Sequence, residues 1–223
     1  MQNTQVAPPQ LVSANRCAVY VDGFNAYYGV FKHHPELKWC NLLTYFEAIL
    51  KPCEVVRINY FTAMIEGSSA SSVEKTSRQT KYITALRSFK KLKLIFGKFQ
   101  PKETTCQHCA KNYKFPQEKK TDVNIAMAMT IDAMSRAFEV MVLVSGDSDL
   151  HPVCQWIKIN RPEIRLMVYV PAIPKEQQYR RADALTEIGV PWAFLPIDEL
   201  AAHQLPDPVV LQYGSVAKPA SWV

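Results

Sequence analysis

The stretch Val140–Leu150, read V-M-V-L-V-S-G-D-S-D-L, restricts the fold more than any other part of the chain. Five consecutive apolar residues, Val140 to Val144, suit a short strand buried on both faces. The run ends at Ser145-Gly146, where the backbone can turn, and two carboxylates follow at Asp147 and Asp149. A buried strand that ends in an acidic turn places those acids at the carboxyl edge of a sheet, where open α/β folds bind ligands. A plainer reading is also open. Asp149 is placed to cap a helix starting at Leu150, with Pro152 tolerated in its first turn, and Asp147 is then a solvated turn residue.

The same arrangement occurs near the start of the chain. Cys17–Val21 is a second short apolar run, and it ends in Asp22-Gly23-Phe24-Asn25. Asn25 has three open roles: orienting Asp22, touching a phosphate, or capping the next helix. A third acid, Asp122, opens the apolar stretch Val123–Met134, which reads as a helix; capping that helix is the plainer role for Asp122. Three acid-bearing turns from distant parts of the sequence are therefore available to converge. Hard cations such as Mg²⁺ and Mn²⁺ take oxygen ligands of this kind. Asp132 lies ten residues beyond Asp122 on the same helix, roughly 15 Å away at helical rise, and is expected to be structural.

Strand and helix signals alternate along the chain. Val55–Phe61, Lys93–Phe99, Ile164–Val170 and Trp192–Leu195 read as further strands. Ala26–His34, Asn41–Leu50, Ser72–Lys90, Leu150–Asn160 and Tyr179–Ile188 read as helices. This order predicts a three-layer α/β/α fold with a mainly parallel sheet. A chain of 223 residues, 48% hydrophobic, can bury one full core, here placed at 16–203. Residues 1–15 read as a flexible lead-in without the pattern of a signal peptide, and 204–223 as an aperiodic tail. No apolar run is long enough for a membrane span. The scattered cysteines suggest no secreted disulfide framework, so a reducing, cytoplasmic location is expected.

The net charge of +6 is unevenly placed. Arg87–Lys120 carries ten Lys/Arg against two acids, a local +8, interleaved with Phe89, Phe96, Phe99, Tyr113 and Phe115. Within it, 100–120 reads as an irregular basic insertion. Basic and aromatic side chains together suit a phosphate backbone with stackable bases, although a solvated face over ordinary core aromatics gives the same pattern. Lys111, Lys114, Lys119, Lys120, Arg180 and Arg181 are the cations expected to guide a polyanion, and Asn25 and Ser145 the polar groups beside the acids. Cys106-x-x-Cys109 is half of a structural Zn²⁺ site whose other half is not visible in the sequence, or a pair of free thiols in a loop. There is no G-x-S-x-G, P-loop or G-x-G-x-x-G.

Three segments, Val19–Asn25, Lys119–Ala126 and Val144–Leu150, with a weaker match at Arg181–Leu185, resemble the NYN-domain family, here its LabA-like branch within the PIN-like nuclease superfamily. The resemblance covers roughly residues 15–200. It implies a PIN-like fold, an acidic pocket for Mg²⁺ or Mn²⁺, and cleavage of RNA. Its acidic positions map onto Asp22, Asp122, Asp147 and Asp149. Many members of the family carry a further acid on the Asp122 helix about six residues on, and here that position is Ala128. The expected activity is metal-dependent hydrolysis of RNA phosphodiester bonds. A non-catalytic RNA-binding or regulatory module is the alternative, which Ala128 favours.

Overall fold

In the computed structural model the described residues are 15–65, 70–105, 108–172 and 184–223. Six parallel strands form the centre: β1 (Arg16–Asp22), β2 (Glu54–Thr62), β3 (Leu92–Phe96), β6 (Val140–Val144), β7 (Arg165–Val170) and β8 (Trp192–Phe194). Their spatial order is β3-β2-β1-β6-β7-β8. Val19, Ile58, Ile95, Leu143 and Met167, each inside a run read as a strand from the sequence, all fall inside these strands.

The apolar runs are continuous because both faces of the sheet are covered. Alternate residues of β1 and β6 enter different cores. Cys17, Val19, Val21, Val140, Val142 and Val144 pack on one side. Ala18, Tyr20, Met141 and Leu143 pack on the other. Helices α2 (Leu42–Ile49) and α3 (Ala70–Leu86) contribute to the first core, through residues such as Phe46 and Leu86. Helices α4 (Thr121–Ser135) and α5 (His151–Asn160) contribute to the second, through Ile125, Met129, Cys154 and Ile157. The result is a three-layer PIN-like α/β fold.

Strand order reverses between β1 and β6, with chain-successive strands running outward on either side of that pair. This is the topological switch point, where the connections leave in opposite directions and open a crevice at the carboxyl ends. Asp22 ends β1, and Ser145–Asp147 follow β6, so both acidic turns border that crevice.

Two regions differ from the sequence reading. The segment read as an irregular insertion is an antiparallel hairpin, β4 (Lys98–Thr105) and β5 (Asn112–Lys119), with Lys98 opposite Lys119 and Thr105 opposite Asn112. Its prolines, Pro101 and Pro116, sit opposite each other in a two-stranded ribbon, where every strand is an edge and a missing N–H is tolerated. The C-terminal residues read as a tail are packed. Leu205, Val209 and Val216 are buried in the first core, and the Trp222 ring meets Trp39 and Tyr82 at 6.2 and 5.9 Å. Aperiodic sequence conceals this because isolated anchors, rather than a repeating face, bury the segment.

Candidate active site at the carboxyl edge of the sheet

Asp22 is fixed from every side. Its Oδ1 accepts from the backbone N–H groups of Phe24 and Asn25 at 3.1 and 3.0 Å, which caps the short helix α1 (Gly23–Ala26). Its Oδ2 accepts from Asn25 Nδ2 at 2.9 Å and Ser145 Oγ at 3.0 Å. Four donors occupy the roughly four acceptor positions of an ionised carboxylate. Burial raises the Asp22 pKa, these hydrogen bonds oppose the rise, and the charge of Asp147 adds to it.

Asn25 and Ser145 connect the two acidic turns. Asn25 Nδ2 donates to Asp22 and its Oδ1 accepts from Gly146 N at 3.1 Å, so Asn25 orients the Asp22 carboxylate. Ser145 Oγ donates to Asp22 and accepts from Asp147 N at 3.1 Å. Asp147 Oδ1 in turn accepts from Asp149 N at 3.0 Å and caps a 3-10 turn, Ser148–Leu150. Asp147, not Asp149, is therefore the cap here; Asp149 lies within the turn and is exposed.

Asp122 stands in the first turn of α4 and does not cap it. Glu118 does so, accepting from Thr121 N at 3.1 Å and from the Thr121 hydroxyl. Lys120 precedes the helix at φ 80°, which turns the chain sharply from β5 into α4. Gly97 makes room for this junction: a Cβ there would lie 2.6 Å from Glu118 Oε1. Among the described residues no hydrogen-bond donor reaches the Asp122 carboxylate. Burial and the charges of Asp147, Asp22, Glu118 and Asp149 push its pKa up to about 6. Asp22, Asp122, Asp147 and Asp149 thus share one electrostatic neighbourhood.

Two further groups belong to that neighbourhood, and the sequence does not single them out. Glu118 acts on Asp122, and its one sequence signal is an acid just before a helix whose cap position, Lys120, cannot accept a hydrogen bond. His151, the first residue of α5, is half-buried; burial lowers its pKa while Asp147 and Asp149 oppose this.

The hairpin rises beside the acids. At its base, the Phe99 ring meets Phe24 edge-to-face at 5.6 Å, and Glu118 joins β5 to α4. Lys111, Lys119 and Lys120 are exposed. The backbone of Lys114 lies on β5 opposite Glu103. Cys109 is an exposed free thiol near the hairpin turn, and Cys106, Arg180 and Arg181 lie outside the described residues. Asp132 is remote from the cluster and held by Tyr20 Oη at 2.5 Å and by Arg57.

Carboxylate oxygens that are partly exposed and short of donors suit a hard divalent cation. Asp122, Asp147 and Asp149 meet that description, whereas Asp22 has its acceptor positions filled. As placed, no three His, Cys, Asp or Glu side chains among the described residues form a group that would enclose a metal ion. The donor chemistry therefore fits Mg²⁺ or Mn²⁺, and a complete coordination shell is not preformed.

A parallel sheet with acids at its switch point defines a nuclease-like α/β fold of the PIN type. The chain belongs to the NYN-domain family, whose model matches residues 16–197. A relative, the 6-hydroxy-3-succinoylpyridine 3-monooxygenase HspA of Pseudomonas putida (strain DSM 28022 / S16), is 30% identical over an aligned length of 240 residues, covering 93% of this chain and 75% of the relative. Among the described residues no helix is long and apolar enough to cross a membrane.

Proposed function

We propose that this protein hydrolyses RNA phosphodiester bonds in a reaction that depends on Mg²⁺ or Mn²⁺. The observation that carries the reading is the convergence of Asp22, Asp122, Asp147 and Asp149 from separate elements on one edge of the sheet, close enough that burial and neighbouring acids raise the Asp122 pKa. Among the described residues, like charges from β1, the β6 turn, β5 and α4 are brought together without a neutralising side chain. A fold keeps such repulsion readily where a cation or a polyanion's metal offsets it.

In this reading Asp122, Asp147 and Asp149 hold the cation, and Asp22 supplies charge from behind while fixing both turns. When bound, the cation activates water and neutralises charge on the phosphate. Asn25 and Ser145 hold the Asp22 carboxylate at 2.9 and 3.0 Å, and Ser145 ties it to the Asp147 backbone by accepting from Asp147 N at 3.1 Å. Lys111, Lys114, Lys119 and Lys120 draw the RNA backbone toward the edge, the role also proposed for Arg180 and Arg181. A Zn²⁺ on Cys106 and Cys109 would brace the hairpin turn. Absence of an acid at Ala128 leaves the site with one principal metal position. The reaction is placed in the cytoplasm.

The test is incubation of the purified protein with labelled single-stranded and structured RNA in Mn²⁺, Mg²⁺ or EDTA. Cleavage that requires the metal and is lost in Asp147→Asn supports the reading. Tight RNA binding without cleavage under any metal supports the non-catalytic alternative, which Ala128 favours.

A second reading has one observation behind it, the activity that the 30% identical relative is named for. On that reading the crevice takes a small hydroxypyridine for oxygenation, with dioxygen and an added reductant. Substrate-dependent consumption of NADH by the protein would favour it over RNA cleavage.

A further inference from the structure

A cavity of about 270 Å³ opens beside the acidic turns. Phe24, Asn25 and Tyr28 line it from α1 and the π-helical segment Tyr27–Phe31 that continues it. Gly146 lines it from the β6 turn, and Val170 and Pro171 from the end of β7. The size lies just below the usual range for drug-like ligands and suits a single ring system. Among the described residues none that lines it carries a charge, although Asp22 is one hydrogen bond away through Asn25. The occupant that fits is neutral and flat.

The walls are aromatic and held in place. Phe24 is braced by Phe99 of the hairpin, 5.6 Å between ring centroids. Tyr28 is 59% exposed, and the Lys32 ammonium lies 5.4 Å from its ring centroid. An exposed aromatic ring beside a cation is the pairing that stacks a base and meets its phosphate. The floor depends on close backbone approach. A Cβ on Gly29 would lie 1.5 Å from the Pro171 carbonyl oxygen, so only glycine allows this helix to lie against the end of β7.

Asn25 supplies the polar edge. Its carboxamide uses one N–H toward Asp22 and one lone pair toward Gly146 N. A carboxamide has two of each, so one donor and one acceptor are left. One donor and one acceptor on a carboxamide match the N–H and C=O groups on the edge of a pyrimidine base.

We propose that this cavity takes one unpaired nucleobase of an RNA strand, stacked on Phe24 and Tyr28, with Asn25 reading its edge and Lys32 meeting a flanking phosphate. The proposal rests on RNA being the ligand, not on cleavage. A paired base cannot enter, because its edge is occupied and its faces are stacked. The site therefore selects single strands or looped-out bases.

The experiment is fluorescence anisotropy in EDTA, which separates binding from cleavage. The probes are a labelled single-stranded oligouridylate, the same oligomer with abasic positions, and a labelled RNA duplex. Wild type should prefer the intact single strand to both other probes. Tyr28→Ala should weaken binding to the intact strand at least 5-fold, the abasic strand hardly at all, and Tyr28→Phe should restore it. Equal affinity of wild type for intact and abasic strands overturns the proposal. So does a Tyr28→Ala variant, folded by circular dichroism, that binds the intact strand as wild type does. Calorimetric binding of free 2-hydroxypyridine, which shares the lactam edge of uracil, without binding of the oligomer also overturns it in favour of a small-molecule site. Base-dependent binding without metal-dependent cleavage would leave the pocket standing and remove the nuclease reading, and the reverse pattern would do the opposite.

Discussion

Helix α4 carries an aspartate near each end, in opposite electrical surroundings. At its far end Asp132 is buried, but Tyr20 Oη donates to it at 2.5 Å and the Arg57 guanidinium neutralises it. Burial works against the Arg57 charge, and Asp132 outweighs it, so the Arg57 pKa is raised. At the near end Asp122 is half-buried with no cation beside it among the described residues, and its nearest charges are other acids. The same side chain on the same helix is a finished structural contact in one place and an unfinished one in the other. A buried pair that is complete resists change, because removing one partner strands the other. A cluster of like charges is instead a standing invitation to a ligand of opposite sign.

The largest expected effect breaks the comparison at the near end. Asp147→Asn keeps the shape and hydrogen-bonding reach of the side chain but removes a charge from the cluster. Metal-dependent RNA cleavage should fall by roughly 100-fold or more, the scale of losing an electrostatic group that acts on the transition state. Far-ultraviolet circular dichroism and thermal melting should show an intact fold. Undiminished cleavage by folded Asp147→Asn would remove Asp147 from the site.

The far end should respond in stability instead. Asp132→Asn leaves the Arg57 guanidinium facing a neutral group in a partly buried position. The expected loss is roughly 2–3 kcal/mol, below the figure for a fully buried pair because Arg57 is 32% exposed. For a chain of this length that corresponds to a melting temperature lower by roughly 4–12 °C. RNA cleavage at low temperature should be nearly unchanged. A stability like that of wild type would mean that Arg57 finds water as good a partner as Asp132.

These two aspartates also mark what the sequence discloses. The sheet is readable because Cys17–Val21 and Val140–Val144 are unbroken apolar runs, and burial on both faces is what such runs report. The acids are readable because they follow those runs directly. Which acid caps which helix is not readable. Glu118 takes the cap at Thr121 through a left-handed Lys120, and that depends on a backbone turn rather than on residue type. The hairpin is hidden because Pro101 and Pro116 argue against strands, and only their pairing on a free ribbon makes them acceptable. The cavity is hidden because nothing in the sequence marks Phe24 and Tyr28 as the walls of a cavity until Gly29 lets the helix lie against the end of β7.

The hairpin extends the comparison outward, from a negative edge to a positive arm. Replacing Lys111, Lys114, Lys119 and Lys120 with Gln should weaken RNA binding roughly uniformly across sequences. It should also reduce the slope of log affinity against log salt by about one for each phosphate that is no longer neutralised. An unchanged slope would identify these lysines as solvated surface.

The smallest effect is the pH dependence of the near end. An unfolded aspartate titrates near about 3.9, and Asp122 in the folded protein near about 6. Between these values the native state binds the proton more tightly than the unfolded state, so stability falls as pH rises. The contribution of the protonated form is fully present below about pH 4 and lost as pH passes about 6. Two pKa units set a ceiling of about 3 kcal/mol, and solvent screening at a half-buried site reduces this to roughly 1–2 kcal/mol. Asp122→Asn has no such titration. In EDTA its unfolding free energy from urea titration should therefore match wild type near pH 4 and exceed it by roughly 1–2 kcal/mol at pH 7. Saturating Mn²⁺ at pH 7 should reverse the order, because a cation held by the acids adds its binding energy to the native state of wild type alone. A difference between the two proteins that ignores both pH and Mn²⁺ would mean that Asp122 is isolated from the other acids, and the contrast between the two ends of α4 would disappear.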